Sequence, residues 1–410
     1  MLKILHTADW HLGKRLQEFS RLEEQRAVCE ELIQRAEEQD VDLILLAGDI
    51  FDTFNPNHEA VELLYRTLRR LSKGGQRPII AISGNHDSTQ FIEAPDPLAR
   101  ELGILFYSRY DTVLPTGRLD SGIEITASAP GFVALRLPQH PFPIRILLAP
   151  YANEVLLKRY LGEEDREEAL RELLKLRWQE LADTYFDEKG VNLFIGHFFF
   201  IPEGASPEPE PESERSILHV GGTQALFTSS IPAGTQYAAL GHLHRCHQVD
   251  PKSPFPIYYA GSPLAYSFSE AEQHKHAVLV KALPGQKVHT ELVPLHSGRP
   301  LYRKRFQNTS EALSWLEAHP DCLVEITLCV EEAIDAVSRK QLLQAHPGIV
   351  HLIPERQGQR SATQAIRAAD LEKDMLSLFR MYVESSQGQP PSEELLTLFK
   401  EITSQENPSS

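Results

Sequence analysis

Five short motifs in this chain combine residue types that bind metal ions. They are Asp9-Trp10-His11, Gly48-Asp49-Ile50-Phe51-Asp52, Gly84-Asn85-His86-Asp87, Gly196-His197 and Gly241-His242-Leu243-His244. They offer carboxylates, imidazoles and one amide oxygen, with no thiolate. That mixture suits Mn²⁺, Fe²⁺ or Zn²⁺ better than Ca²⁺, which takes oxygen throughout. Such a set is too large for one tetrahedral ion but suits two ions sharing a carboxylate. Two ions roughly 3.5–4 Å apart can clamp both the attacking and the leaving oxygen of a phosphodiester. Each motif alone is weak, because a lone DxH or GH arises by chance and a buried histidine is usually a satisfied core residue. The conjunction carries the signal: buried Asp and His at five separate strand ends are costly without a cation.

The elements around the motifs explain how they could meet. LKILHTAD reads as a buried strand ending at Asp9, VDLILLAGD as one ending at Asp49, and RPIIAISGN as one ending at Asn85. Residues 20–39 have helical spacing, with apolar positions at Leu22, Val28, Leu32 and Ala36, and residues 58–72 repeat it. This βαβαβ run predicts a parallel sheet with polar loops at the strand C-termini, where distant residues share one rim. Later strands are read at 144–151, 191–198, 236–244, 256–263 and 276–283. Residues 112–148 look like hairpins, which predicts a second, mixed sheet packed on the first. Residues 164–186 form a charged helix, and the Pro- and Glu-rich 202–214 reads as an exposed loop. Beyond residue 290 a β-α-β-α-β pattern at about 298–356 is enough for a small domain. Two amphipathic helices follow, with stripes including Leu371, Phe379, Leu395 and Phe399. They could pack on their own domain or dock on a partner.

The whole chain sets bounds. Its 410 residues predict two or three folded units. The net charge of −16 opposes non-specific nucleic-acid binding, though bound metals can supply positive charge where phosphate sits. No stretch approaches the roughly 20 apolar residues of a membrane span. MLKILHTADWH turns polar too soon for a signal peptide, so cytoplasmic residence is the expectation. Cys29, Cys246, Cys322 and Cys329 show no zinc spacing, as fits a reducing compartment.

The series DxH, GDxxD, GNHD, GH, GHxH resembles the calcineurin-like metallophosphoesterase superfamily. Within it, ILHTADWHLGKR, LLAGDIFDTFNP, GNHDS, YAALGHLHR and YYAGSP resemble the SbcD/Mre11 nucleases, the bacterial SbcD branch especially. The resemblance implies a four-layer α/β/β/α sandwich over residues 1–292, a small α/β capping or DNA-recognition domain at 298–356 and a C-terminal helical partner-binding region at 367–404. It implies that Asp9, His11, Asp49 and His244 hold one metal, while Asp49 bridges to a second completed by Asn85, His197 and His242. His86 would stay off the metals and serve the scissile phosphate, and Asp52 would orient His86 and raise its pKa. The implied cofactors are two divalent ions, with Mn²⁺ expected. The implied activity is DNA hydrolysis: 3′→5′ exonuclease on duplex ends, endonuclease on single strands or hairpins. The implied partner is an SbcC/Rad50-like ATPase, bound by a homodimer within a heterotetramer acting in break repair and recombination.

Other residues carry weaker readings. His6 reads as a core or supporting histidine, and Asp87 as ordering its turn. Cys246 and His247 have no visible partner ligands, and Gly261-Ser262-Pro263 reads as shaping the rim. Lys14, Arg15 and Arg245 could meet DNA phosphates or be ordinary solvated charges. A small-molecule phosphodiesterase or protein phosphatase of the same superfamily is the alternative function, and a metal-free scaffold the third.

Overall fold

The computed structural model describes residues 1–151, 166–205, 225–330 and 334–356, with seven isolated positions between 379 and 399. The chain divides into two compact units. One is Met1–Lys304 with Ala318–Glu325 and His346–His351; the other is Arg305–Glu317, Ile326–Ala345 and Leu352–Ser410.

Two sheets build the first unit. Among the described residues, one sheet has six strands in the order His289–Leu295, Lys275–Ala282, Leu2–Thr7, Leu43–Ala47, Ile79–Ile82 and Ile104–Tyr107. The last four are mutually parallel, as the βαβαβ reading expects. Helices Leu22–Glu38 and His58–Leu71 are the crossovers, the second capped by the Asn57 side chain, which accepts from the Ala60 amide at 2.8 Å. Lys275–Ala282 runs antiparallel to Leu2–Thr7, with Leu2 opposite Ala282. Local pattern cannot foretell so distant a pairing.

Strands covered on both faces are continuous apolar runs, and every residue of Leu43–Ala47 is buried. Alternate side chains serve two cores. Leu5, Ile44 and Leu46 pack with Val28, Leu32 and Leu64 of the helices. Ile4, Leu43 and Leu45 face Ile146, Leu193 and Ile195 of the second sheet. Each such side chain contributes about 1.5–3 kcal/mol relative to exposure, so the inter-sheet core holds the two sets of strand ends together firmly.

The second sheet has eight described strands, from His247–Gln248 through Ile257–Tyr259, Tyr237–Gly241, Val191–His197, Ile144–Ala149, Phe132–Arg136 and Glu124–Ala129 to Gly117–Arg118. Its centre is parallel, and the strands within 117–136 are antiparallel, so the sheet is mixed as expected. Helix Arg166–Tyr185 covers its outer face through Leu170, Leu174 and Trp178, which pack with Leu147 and Phe194. The layers run helix, sheet, sheet, helix.

One polar ring sits on the inter-sheet face. His6 is buried, with Nδ1 2.8 Å from the Tyr237 hydroxyl and Nε2 3.1 Å from the Leu240 carbonyl. It is therefore a core histidine tying strand to strand across the sheets. Burial lowers its pKa from 6.5 to about 3. The unfolded chain gains a proton here below about pH 6.5 and the folded chain only near 3, so stability falls as pH drops through that window, by up to ~1.4 kcal/mol per unit. Urea midpoints measured from pH 7 to 4 should therefore fall less steeply for His6→Gln than for the wild type. Equal slopes would exclude His6 as the cause.

Strands Leu301–Phe306, Leu323–Val330 and Ile349–Arg356 form a further three-stranded sheet, interleaved in sequence with helices Thr309–Ala318 and Ala336–Ala345. The division into units passes through these strands. In the second unit Phe306 packs on Trp315, and the rings of Phe379 and Phe399 stack with centroids 3.9 Å apart. The loop read at 202–214 and the helices read at 367–404 lie largely outside the described residues. No helix among the described residues is long and apolar enough to cross a membrane.

Candidate metal centre

Every site residue picked from the sequence stands at or just beyond a strand C-terminus. Asp9 and His11 follow Leu2–Thr7, Asp49 and Asp52 follow Leu43–Ala47, and Asn85 and His86 follow Ile79–Ile82. His197 ends its strand in the second sheet, and His242 and His244 follow the neighbouring strand. Both sheets point these ends to one place, and all of these residues except Asp52 are buried.

The backbone there is forced into unusual shapes. Asp9, His11, Asp49 and His242 have φ of 53°, 42°, 48° and 107°. Such left-handed positions cost of order 1–3 kcal/mol each and persist only where the surroundings impose them. The loops impose them through shared bonds: the Asp9 amide donates to the Gly48 carbonyl at 3.0 Å and the His11 amide to the Asp49 carbonyl at 2.9 Å. Gln25, from the first helix, donates to the His11 carbonyl at 2.8 Å and accepts from the Gly13 amide at 3.0 Å. Two glycines permit the close approach. A Cβ on Gly241 would lie 1.8 Å from the Ala47 carbonyl oxygen, and one on Gly84 2.1 Å from Asp49 Oδ1.

The polar atoms converge in a way that calls for a cation. His11 Nε2 and His244 Nε2 are 3.0 Å apart. His244 Nδ1 lies 3.1 Å from Glu270 Oε1, an acceptor that favours the ring proton on Nδ1, while His11 Nδ1 faces Asp52 Oδ1 at 3.6 Å, beyond hydrogen-bond reach. Burial lowers the pKa of both rings, that of His11 to about 3, and keeps them neutral. Two neutral ring nitrogens thus meet at close range. That contact repels unless a proton or a positive ion joins them. Nitrogens each about 2.1 Å from one ion, at a right angle, are about 3.0 Å apart.

The other half of the cluster is equally crowded with polar atoms. Asn85 Oδ1 lies 3.0 Å from both His197 Nε2 and His242 Nδ1. His197 Nδ1 donates to the Ala47 carbonyl at 2.8 Å, which turns its Nε2 inward. Asp49 Oδ2 sits between the halves, 3.5 Å from His11 Nε2 and 3.4 Å from His197 Nε2. Burial alone would pull the His197 pKa down, yet Asp49 and then Asp9 push it up to about 9. Ligand atoms of Asp9, Asp49 and His197 lie within 4.8 Å of one another, as do those of His11, Asp49 and His86. Asp49 belongs to both groups. The donor set therefore fits two divalent ions with one shared carboxylate.

His86 and Asp52 meet differently from the expectation. His86 Nδ1 contacts the main-chain carbonyl of Asp52 at 3.0 Å, not its carboxylate. That carboxylate pairs with Lys14 at 2.6 Å and faces His11 instead. The side chain follows charge: the Lys14 ammonium lies on that side. Lys14 is thereby committed within the site, while Arg245 is exposed. His86 Nε2 and Asn85 Nδ2 are buried with no hydrogen-bond partner among the described residues. Asp87 accepts from the amides of Ile50, Phe51 and Gly84 at 2.9–3.1 Å and orders the turn, as read.

The sequence reading missed Glu270, Lys275 and Tyr266. They lie in or beside the stretch AYSFSEAEQHK, which has no motif spacing, and only the fold brings Glu270 to His244.

The sequence profile of the calcineurin-like phosphoesterases matches residues 2–246. The SbcD subunit of the SbcCD nuclease from Bacillus subtilis (strain 168) is 33% identical, with 98% of this chain and 98% of that protein covered. The protein of the same name from Rhodobacter capsulatus is 32% identical over 75% of this chain and 73% of its own length. That from Staphylococcus epidermidis is 31% identical, covering 73% and 71%. The chain therefore belongs to the calcineurin-like phosphoesterase family, as a phosphodiester hydrolase of the SbcD kind.

Proposed function

We propose that this chain is the nuclease subunit of a DNA-processing complex and hydrolyses DNA phosphodiesters with two bound Mn²⁺ ions. Its activities are 3′→5′ exonuclease action on duplex ends and endonuclease action on single strands or hairpins, in break repair and recombination. It works in the cytoplasm as a homodimer with an SbcC/Rad50-like ATPase. Residues 1–292 carry the chemistry, 298–356 cap it and recognise DNA, and 367–404 bind the partner. The observation that supports a DNA substrate over a small phosphoester is the reach of the likeness. Identity to an SbcCD nuclease subunit covers 98% of the chain, whereas the general phosphoesterase profile stops at residue 246.

One ion is assigned to Asp9, His11, Asp49 and His244, the other to Asp49, Asn85, His197 and His242. When bound, such ions neutralise phosphate charge and lower the pKa of an attacking water. The chain's own residues do the rest. Asp49 holds the halves of the cluster in register, with Oδ1 accepting the His86 amide at 2.9 Å. His86, its Nδ1 engaged by the Asp52 carbonyl, can hold a proton at Nε2 for the leaving oxygen. Asp52 acts on His86 through its main chain and on His11 through its carboxylate. The −16 charge fits a protein whose partner supplies most DNA affinity.

Purified chain with its ATPase partner, Mn²⁺ and ATP should cut hairpin DNA and leave cyclic nucleotides and phosphoproteins intact. Turnover of a cyclic nucleotide or phosphoprotein without DNA cleavage would favour the alternative enzyme classes.

A further inference from the structure

Behind the inward edge of His244 lies a buried ion pair that the assignments above leave unused. Glu270 Oε1 lies 3.1 Å from His244 Nδ1, and Glu270 Oε2 is 2.5 Å from Lys275 Nζ. Glu270 is 2% exposed and Lys275 8%. Lys275 also donates to the His244 carbonyl and to Ser262 Oγ, both at 3.0 Å. The Tyr266 amide donates to Glu270 Oε1 at 3.2 Å. One ammonium therefore grips the main chain of His244 and the carboxylate that touches its ring.

We propose that Glu270 and Lys275 are a positioning pair that fixes the His244 proton on Nδ1 and so presents a bare Nε2 beside His11. This rests on the metal reading of the cluster given above. If the pair served stability alone, apolar side chains of similar volume would do as well, because desolvating two charges offsets much of their attraction. What an apolar pair cannot supply is a directed acceptor for one ring nitrogen. Carboxylates placed behind metal-binding histidines do this elsewhere, and their loss weakens metal affinity about 10–100-fold. Behind the other ring of the 3.0 Å pair Asp52, held by Lys14, stands 3.6 Å from His11 Nδ1 and makes no hydrogen bond to it. His197, by contrast, spends its Nδ1 on a main-chain carbonyl. A hydrogen-bonded carboxylate with its own ammonium thus backs His244.

The test is Mn²⁺ titration of the full-length protein by calorimetry, with ¹⁵N-histidine spectra read in parallel on the metal-free protein. Wild type should bind two ions and show His244 protonated on Nδ1. Glu270→Leu should lose one ion's affinity by about 10–100-fold and show a mixed tautomer. Glu270→Gln, whose amide oxygen still accepts the Nδ1 proton, should keep the tautomer and most of the affinity. Wild-type affinity for both ions in folded Glu270→Leu would overturn the proposal and leave the metal reading standing. Should Glu270→Leu fail to fold, the wild-type spectrum decides: His244 protonated on Nε2 overturns the proposal. A wild type that binds no Mn²⁺ removes the metal reading itself, and the proposal with it.

Discussion

Replacing His86 with alanine should slow DNA cleavage by about 10²–10⁴-fold, the range of a lost general acid, while two Mn²⁺ ions still bind. The substitution is unusually clean for a buried site. The amide of residue 86 keeps its bond to Asp49 Oδ1, because that contact is main chain. What disappears is the ring, including its edge-on contact with His11 at 4.8 Å between centroids. The measurement needs two arms, because a ring nitrogen of His86 also lies within metal-sharing reach of His11 and Asp49. Single-turnover cleavage reports the chemistry, and Mn²⁺ calorimetry reports the ligand set. Unchanged cleavage would remove His86 from the reaction. Slow cleavage with only one ion bound would make it a ligand instead.

Asp49→Asn should be more damaging still, with cleavage falling by at least about 10⁴-fold, the scale seen when a residue central to a catalytic unit is removed. The amide keeps the shape of Asp49 but not the charge that both halves of the cluster share. Oδ2 stands 3.5 Å from His11 Nε2 and 3.4 Å from His197 Nε2, and among the described residues Asp49 is the carboxylate common to both metal-sharing groups. Melting curves supply a second measure. A ligand present at a hundred times its dissociation constant stabilises by about 2.7 kcal/mol, so Mn²⁺ should raise the wild-type melting temperature over that in EDTA. In Asp49→Asn that rise should largely vanish. Each protein is compared with itself, since losing Asp49 also removes its attraction to His197, His86 and His11 in the metal-free state. A full Mn²⁺ shift in the variant would contradict the bridging role.

The frame of this site is legible in the linear sequence. A parallel strand buried on both faces must be a continuous apolar run, so VDLILLAGD announces both a strand and the point where it turns polar. Residue type told the rest of that part: Asp, Asn and His at such ends are expensive without a job. Direction was not readable. Whether the Asp52 carboxylate turns to His86 or to His11 depends on a side-chain torsion set by Lys14, a neighbour that the linear pattern does not pair with it. Glu270 was invisible because it competes with nearby Glu272 in a stretch without periodicity, and its meaning comes from a contact made across the fold. The left-handed backbone at Asp9, His11 and Asp49 was equally hidden, since neither Asp nor His demands it.

The place of Leu2–Thr7 between Leu43–Ala47 and Lys275–Ala282 bears on how the chain matures. During synthesis the strand that carries Asp9 and His11 emerges before its neighbours in the sheet, and one of its flanks stays open until residues 275–282 leave the ribosome. His197, His242, His244 and Glu270 all emerge within that interval. Of the two sheets that bring the cluster together, the one that seats Asp9 and His11 is therefore the later to be completed. By the same logic, cutting the gene at the end of the family match, residue 246, would leave an unpaired, apolar edge prone to aggregation.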